Sequence, residues 1–202
     1  MFAVTCSTAE ADAQGAADPP AATSEHPATA VPVFLAGAAA ALGLHEGAHV
    51  FFDVVFDAHP GLAKVDFHGI PFFAITHEPG LPHRKEFTID SAGFWMQDAG
   101  DELILSTRPR LRDEHAPFVK GLVAFNVLAS AAYAGAAFAR TGPIERDTRG
   151  MADSLRWKEP VVGALILAPA VLDAIRYYQR NPAWAMWASR GLKVFSVVLV
   201  LR

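Results

Sequence analysis

The chain has 202 residues, 52% of them hydrophobic and only 19% charged, with a formal net charge of −4. That is more apolar and less charged than an average soluble domain, and it offers no basic footprint for nucleic acid. Cys6 is the one cysteine, so an internal disulfide and a cysteine-built zinc site are both excluded, and any metal must use His, Asp or Glu.

Residues 1–30 are rich in Ala, Pro, Ser, Thr and Asp, and hold too few large apolar groups to fold alone. Ala11-Asp12-Ala13 has the small residues of a signal-peptide cleavage site, but neither a basic n-region nor a full apolar h-region precedes it. The stretch therefore reads as a disordered tail rather than a signal peptide. Residues 31–202 read as one integral membrane unit.

Four apolar segments follow, at about Pro32–Phe56, Phe118–Ala139, Pro160–Tyr178 and Ala183–Leu201. Each approaches the roughly 20 residues that a helix needs to cross a bilayer. The second is full of Ala, Gly and Ser, which suits close packing between membrane helices. Trp157, Tyr177, Tyr178, Trp184 and Trp187 stand near segment ends, where an interfacial aromatic belt would lie. Gln179-Arg180-Asn181-Pro182 is a tight polar turn, so the last two segments should form a helical hairpin. The expected fold is an all-α polytopic membrane protein of about four membrane helices, with a small β-hairpin inserted between the first and second. The competing fold is a soluble helical bundle, since Asp53, Asp57, Lys120, Asn126, Asp173 and Lys193 interrupt the apolar runs.

The hairpin falls in 65–77, where β-branched and aromatic residues mix with Gly and Pro, and Pro79-Gly80 and Pro82 mark the turn after it. Phe87 to Thr107 reads as an amphipathic or half-buried helix, because Asp98, Asp101 and Glu102 argue against a lipid-facing span. The stretches 108–120 and 140–158 read as basic loops. They give no clean orientation by the positive-inside rule.

Chemistry concentrates in the first apolar segment. His45-Glu46-Gly47-Ala48-His49 has the spacing His-Glu-x-x-His. On a helix that puts the two histidines on one face, one turn apart, with Glu46 beside them. Two such imidazoles can hold one Zn²⁺, and the glutamate can take a proton from water. The pattern also arises by chance in soluble helices. Within an apolar run, however, unpartnered His and Glu would be costly.

A catalytic zinc needs a third protein ligand. Asp53 shares the stripe of His45 but lies about 12 Å further along the axis, so it suits orienting His49 rather than sharing its metal. Asp57 lies near the segment end and should face the membrane interface. Asp173 is the one acidic group inside the third segment, four residues after Pro169, and is the expected third ligand. Its alternative role is an ion pair with Arg176. His68, His77 and His83 could also donate to a metal, but no spacing ties them together. Asn126, in the middle of the second segment, should bond across helices, with a substrate contact as the alternative.

These residues together resemble the site-2 protease family of intramembrane zinc metalloproteases. The family's HExxH corresponds to His45–His49. Pro169-Ala170-Val171-Leu172-Asp173 is similar to its second motif, with Ala174 where the family usually has Gly. Ser91-Ala92-Gly93-Phe94-Trp95-Met96-Gln97 is similar to its Ala-Gly-Pro-x-x-Asn stretch, with Phe94 in place of Pro and Gln97 in place of Asn. The strand-like segment falls where such proteases carry a membrane-associated β-hairpin.

The resemblance implies that His45, His49 and Asp173 bind Zn²⁺ and that Glu46 is the general base in peptide-bond hydrolysis in or near the bilayer. Gln97 would contact the substrate backbone or oxyanion, and the strand would pair with an unwound substrate segment. The implied partners are the lipid bilayer and a membrane-protein or peptide substrate. Two other readings stay open. One is a membrane metallohydrolase of lipid-like molecules. The other is a non-catalytic scaffold or inactive homologue that keeps a structural metal, to which the changes at Phe94, Gln97 and Ala174 lend weight. The Ala-rich composition, with Arg over Lys, points to a bacterial chain and hence to the inner (cytoplasmic) membrane.

Overall fold

The structure is a computed structural model that describes residues 27–67 and 70–201. The expected tail, with Cys6 and Ala11-Asp12-Ala13, lies outside the described residues up to residue 26, and so does His68. Six helices and one hairpin follow in the order α1 (Pro27–Val55), β1 (Gly61–Phe67), β2 (Ile70–Thr76), α2 (His83–Thr107), α3 (Pro117–Ala139), α4 (Asp147–Leu155), α5 (Glu159–Tyr178) and α6 (Ala183–Val198). The fold is all-α and polytopic, with one small antiparallel sheet in which Gly61 pairs with Thr76 and Phe67 with Ile70.

Four helices are long and apolar enough to cross a membrane: Thr29–Val55, Pro117–Ala139, Glu159–Tyr178 and Ala183–Leu201. These match the four apolar runs of the sequence to within a few residues. Only 17% of the apolar stretch of α1 is buried within the protein. Leu35, Leu44, Phe51, Val54, Leu128, Val171 and Val194 all point outward. A soluble bundle buries such side chains, and an exposed apolar surface this extensive needs an apolar surrounding. Trp184, Trp187 and Tyr178, near the turn between α5 and α6, are also largely exposed.

Small residues set the spacing of the first and third helices. A Cβ on Gly37 would fall on the backbone carbonyl of Phe118, and one on Gly121 would fall on that of Phe34. Each helix thus lends a glycine to the other's backbone, which is how membrane helices reach close contact. The two run in the same direction, since Gly37 meets Phe118 and, further along, His45 stacks on Tyr133.

The polar helix α2 runs back between them. It starts a turn earlier than the sequence pattern suggested, at His83, and its Ser91, Gly93, Gln97 and Asp101 are all buried. Protein, not lipid, surrounds its polar residues, which is how a helix with three acids near its end fits among apolar ones. The segment 140–158 is not simply a basic loop. It holds the nine-residue helix α4, whose polar, arginine-containing sequence hides a buried face of Thr148, Met151 and Ala152. That face packs into the core formed by Phe87, Phe94, Ala134, Val162, Ile166 and Leu199.

Candidate metal centre

Helix α1 presents His45 and His49 on the face that meets α2, and both are at most 5% exposed. The His49 Nδ1–H donates to the carbonyl of Ile89 at 2.7 Å. That bond fixes the ring and its tautomer, and turns the Nε2 lone pair the other way. His45 is held by rings and by a missing side chain. Phe94 meets it edge-on at 5.5 Å and Tyr133 stacks on it at 5.9 Å. Gly93 leaves the room it occupies, for a Cβ there would fall on the imidazole.

The third group is Asp147, the first residue of α4. Its Oδ2 lies 3.3 Å from His45 Nε2 and 3.5 Å from His49 Nε2, and the two Nε2 atoms are 3.3 Å apart. A tetrahedral zinc with bonds of about 2.0–2.1 Å spaces its ligand atoms by about 3.3–3.4 Å. The three atoms therefore form one face of such a coordination shell. All are electron-pair donors aimed at one point, and two of them come from buried imidazoles. Among the described residues this is the one group of three or more His, Cys, Asp or Glu side chains that converges in this way.

Residues on both sides of Asp147 are clamped to the start of α5. Arg146 Nη2 donates to Glu159 Oε2 at 2.6 Å, and Thr148 Oγ1 donates to Glu159 Oε1 at 3.0 Å. Glu159 thus sets where α4 begins and where its first side chain points.

Asp173 does not join the histidines. It is 1% exposed and its oxygens are occupied by other donors. Lys193 Nζ donates to Oδ2 at 2.6 Å, and Ser189 Oγ and Arg176 Nη1 donate to Oδ1 at 2.7 and 3.1 Å. The expected third ligand is instead the centre of an ion-pair network that binds α6 to α5. The alternative pairing with Arg176 is present, with Lys193 added. Helix α5 runs unbroken through Pro169.

Gln97 and Asn126 do not border the cavity beside the histidines. The Gln97 Oε1 accepts from Ser130 at 3.4 Å, and the Asn126 amide donates to Asp101 Oδ1 at 2.8 Å, so both tie α2 to α3. Asp53 does not orient His49, a role that the Ile89 carbonyl fills. It is fully buried and faces His77, whose Nδ1 lies 3.6 Å away. His77 is no free surface histidine, since its Nε2 lies 3.0 Å from Glu86. Asp57 is exposed, as its place at the segment end suggested.

A cavity of about 310 Å³ opens beside the histidines. Glu46, His49, Tyr133 and Asp147 form its polar end. Phe73, Ala74 and Ile75 of β2 form a wall, with Ala132 and Ala136 of α3 opposite. Side chains alternate between the faces of a strand, so three consecutive lining residues mean that the cavity runs along the strand. A two-stranded sheet leaves the outer edge of β2 unpaired. Compared with protein-family models, curated proteins and solved structures, the chain matches none of them.

Proposed function

We propose that the chain is a membrane-embedded zinc metalloprotease whose ligands are His45, His49 and Asp147. The observation that carries this reading is the convergence of three donor atoms at mutual distances of 3.3, 3.3 and 3.5 Å. A zinc ion held there would supply Lewis acidity to a peptide carbonyl and to water. Glu46 lies on the cavity side of the same helix turn and is the base that takes the proton of the attacking water. It then returns that proton to the leaving amine. Tyr133, which also lines the cavity, hydrogen-bonds Asp147 and so helps to position that ligand.

The strand along the cavity favours a peptide as the substrate. An extended segment laid against β2 gains backbone hydrogen bonds and passes in front of Glu46. The apolar, outward-facing helices support placement in a lipid bilayer, and the composition favours the bacterial inner membrane. Of the three departures from the family pattern, Gln97 bonds Ser130 away from the cavity, whereas Phe94 packs edge-on against His45.

The experiment is cleavage of a panel of membrane-protein and peptide substrates by the purified full chain, beside Glu46→Gln. The variant should lose about 10²–10⁴-fold in rate, the usual range for a general base, while keeping its metal. Full activity in Glu46→Gln would remove the mechanism. Hydrolysis of lipid esters with no peptide cleavage would move the protein to the lipid-like substrate class.

A further inference from the structure

A second cavity, also of about 310 Å³ and sharing no lining residue with the first, lies where the start of α2 meets the ends of α4 and the last helix. His83 and Arg84 open α2, Ser154 and Arg156 close α4, and Leu199 and Val200 end the last membrane-length helix. No acidic residue lines it. Among the described residues, Arg156 and His83 make no ion pair, and the one hydrogen bond of the Arg84 guanidinium goes to the neutral carbonyl of Leu201 at 2.9 Å. Among the described residues, no carboxylate lies within ion-pair distance of these three basic groups.

Two further features point to an anion. Pro82 precedes α2 with no side-chain cap, and the N–H groups of Lys85 and Glu86 turn back to the Pro82 carbonyl. That leaves the amides of His83 and Arg84, at the positive end of a 25-residue helix, for an outside acceptor. The Ser154 hydroxyl oxygen, on a residue that lines this cavity, has no hydrogen-bond partner among the described residues. Leu199 and Val200 add an apolar side at the point where the last long apolar helix ends. Cationic rim, free amides and apolar floor at the end of a membrane helix suit a phosphate that carries acyl chains.

We infer that this cavity binds the phosphate of an anionic phospholipid headgroup. The site is separate from the metal centre and does not depend on its chemistry. A basic pocket at the end of membrane helices gains about fivefold in affinity from each arginine near the headgroup.

The test uses the purified full chain in detergent, with native mass spectrometry of retained lipid. Phosphatidylglycerol and phosphatidylcholine of matched acyl chains are added separately, and inorganic phosphate is titrated against each. The variants are Arg156→Gln, Arg84→Gln and, as a control, Arg180→Gln at the other end of α6, where Arg180 pairs with Asp113. The Arg156 backbone N–H closes the end of α4 on the Asp153 carbonyl, a bond that Gln keeps, and its side chain makes no hydrogen bond among the described residues, so the replacement leaves folding intact, and circular dichroism checks this. The expected result is preferential retention of phosphatidylglycerol, reduced about fivefold by either Arg156→Gln or Arg84→Gln and unchanged by Arg180→Gln. Equal retention of both lipids, or undiminished phosphatidylglycerol in well-folded Arg156→Gln, would overturn the inference. Displacement of the lipid by millimolar inorganic phosphate would also overturn it, by assigning the site to a soluble phosphate.

Discussion

Two aspartates, half-buried Asp147 and buried Asp173, divide the molecule into two kinds of polar interior. Around Asp173 the chain supplies the cations itself: Lys193 and Arg176 donate to the carboxylate, and Arg176 reaches on to Glu102 at 2.6 Å. Around Asp147 the neighbours are two imidazoles whose Nε2 atoms face the carboxylate oxygen and each other. The first cluster pairs its acid with cations from neighbouring helices, and the second brings a carboxylate oxygen within 3.5 Å of two imidazole nitrogens. A charge inside an apolar run must be satisfied, and the nature of its partners decides which kind of site it makes.

The comparison can be broken at either site. Asp173→Ala removes the carboxylate that Lys193, Ser189 and the fully buried Arg176 share, leaving Glu102 as the one acid still paired with both cations. Breaking a buried pair in this way costs about 3–5 kcal/mol, so the full chain in detergent should unfold at a clearly lower temperature. Its zinc content should not change. A variant as stable as the wild type would show that the network is not the lock described here.

Glu159→Ala tests the other side more gently. It frees Arg146 and Thr148 and so loosens the start of α4 without touching a ligand. Groups that orient metal ligands typically carry about 10–100-fold in metal affinity, and a competitive chelator titration should read a loss in that range. Unaltered affinity would mean that Asp147 is positioned by its own helix alone.

The smallest effect is expected at Asn126. Asn126→Ala removes a buried hydrogen bond to Asp101 and a longer one to the Gln97 carbonyl, and should cost about 1–3 kcal/mol of stability. Because Asn126 stands away from the cavity, KM for any cleaved peptide should stay at the wild-type value. A raised KM with unchanged stability would restore it as a substrate contact.

How much of this could be read beforehand differs between the same two regions. The four long apolar helices were legible because each writes its length directly as a run of Val, Leu, Ala and Phe. The histidine pair was legible because its spacing of four residues is one helical turn. Helix α2 was half legible, since its acids ruled out lipid but could not say that protein would enclose them.

The third member of the histidine cluster was not legible. Asp147 lies 102 residues from His45, and no local period can link them. It also sits at the head of a short polar helix that reads as a basic loop. The one local signal was an acid at a helix start, Asp147-Thr148, ahead of the buried Met151 and Ala152. Asp173 drew attention because it interrupts an apolar run. An interruption shows only that a charge must be satisfied, and here Lys193, from the next helix, satisfies it.

The most direct test of the account is the zinc content of the full chain purified in detergent, compared among wild type, Asp147→Ala and Asp173→Ala. The account predicts about one zinc per chain in the wild type, none in Asp147→Ala, and the wild-type amount in folded Asp173→Ala. Zinc that survives Asp147→Ala, or that disappears from folded Asp173→Ala, would contradict the assignment of His45, His49 and Asp147 as the metal site.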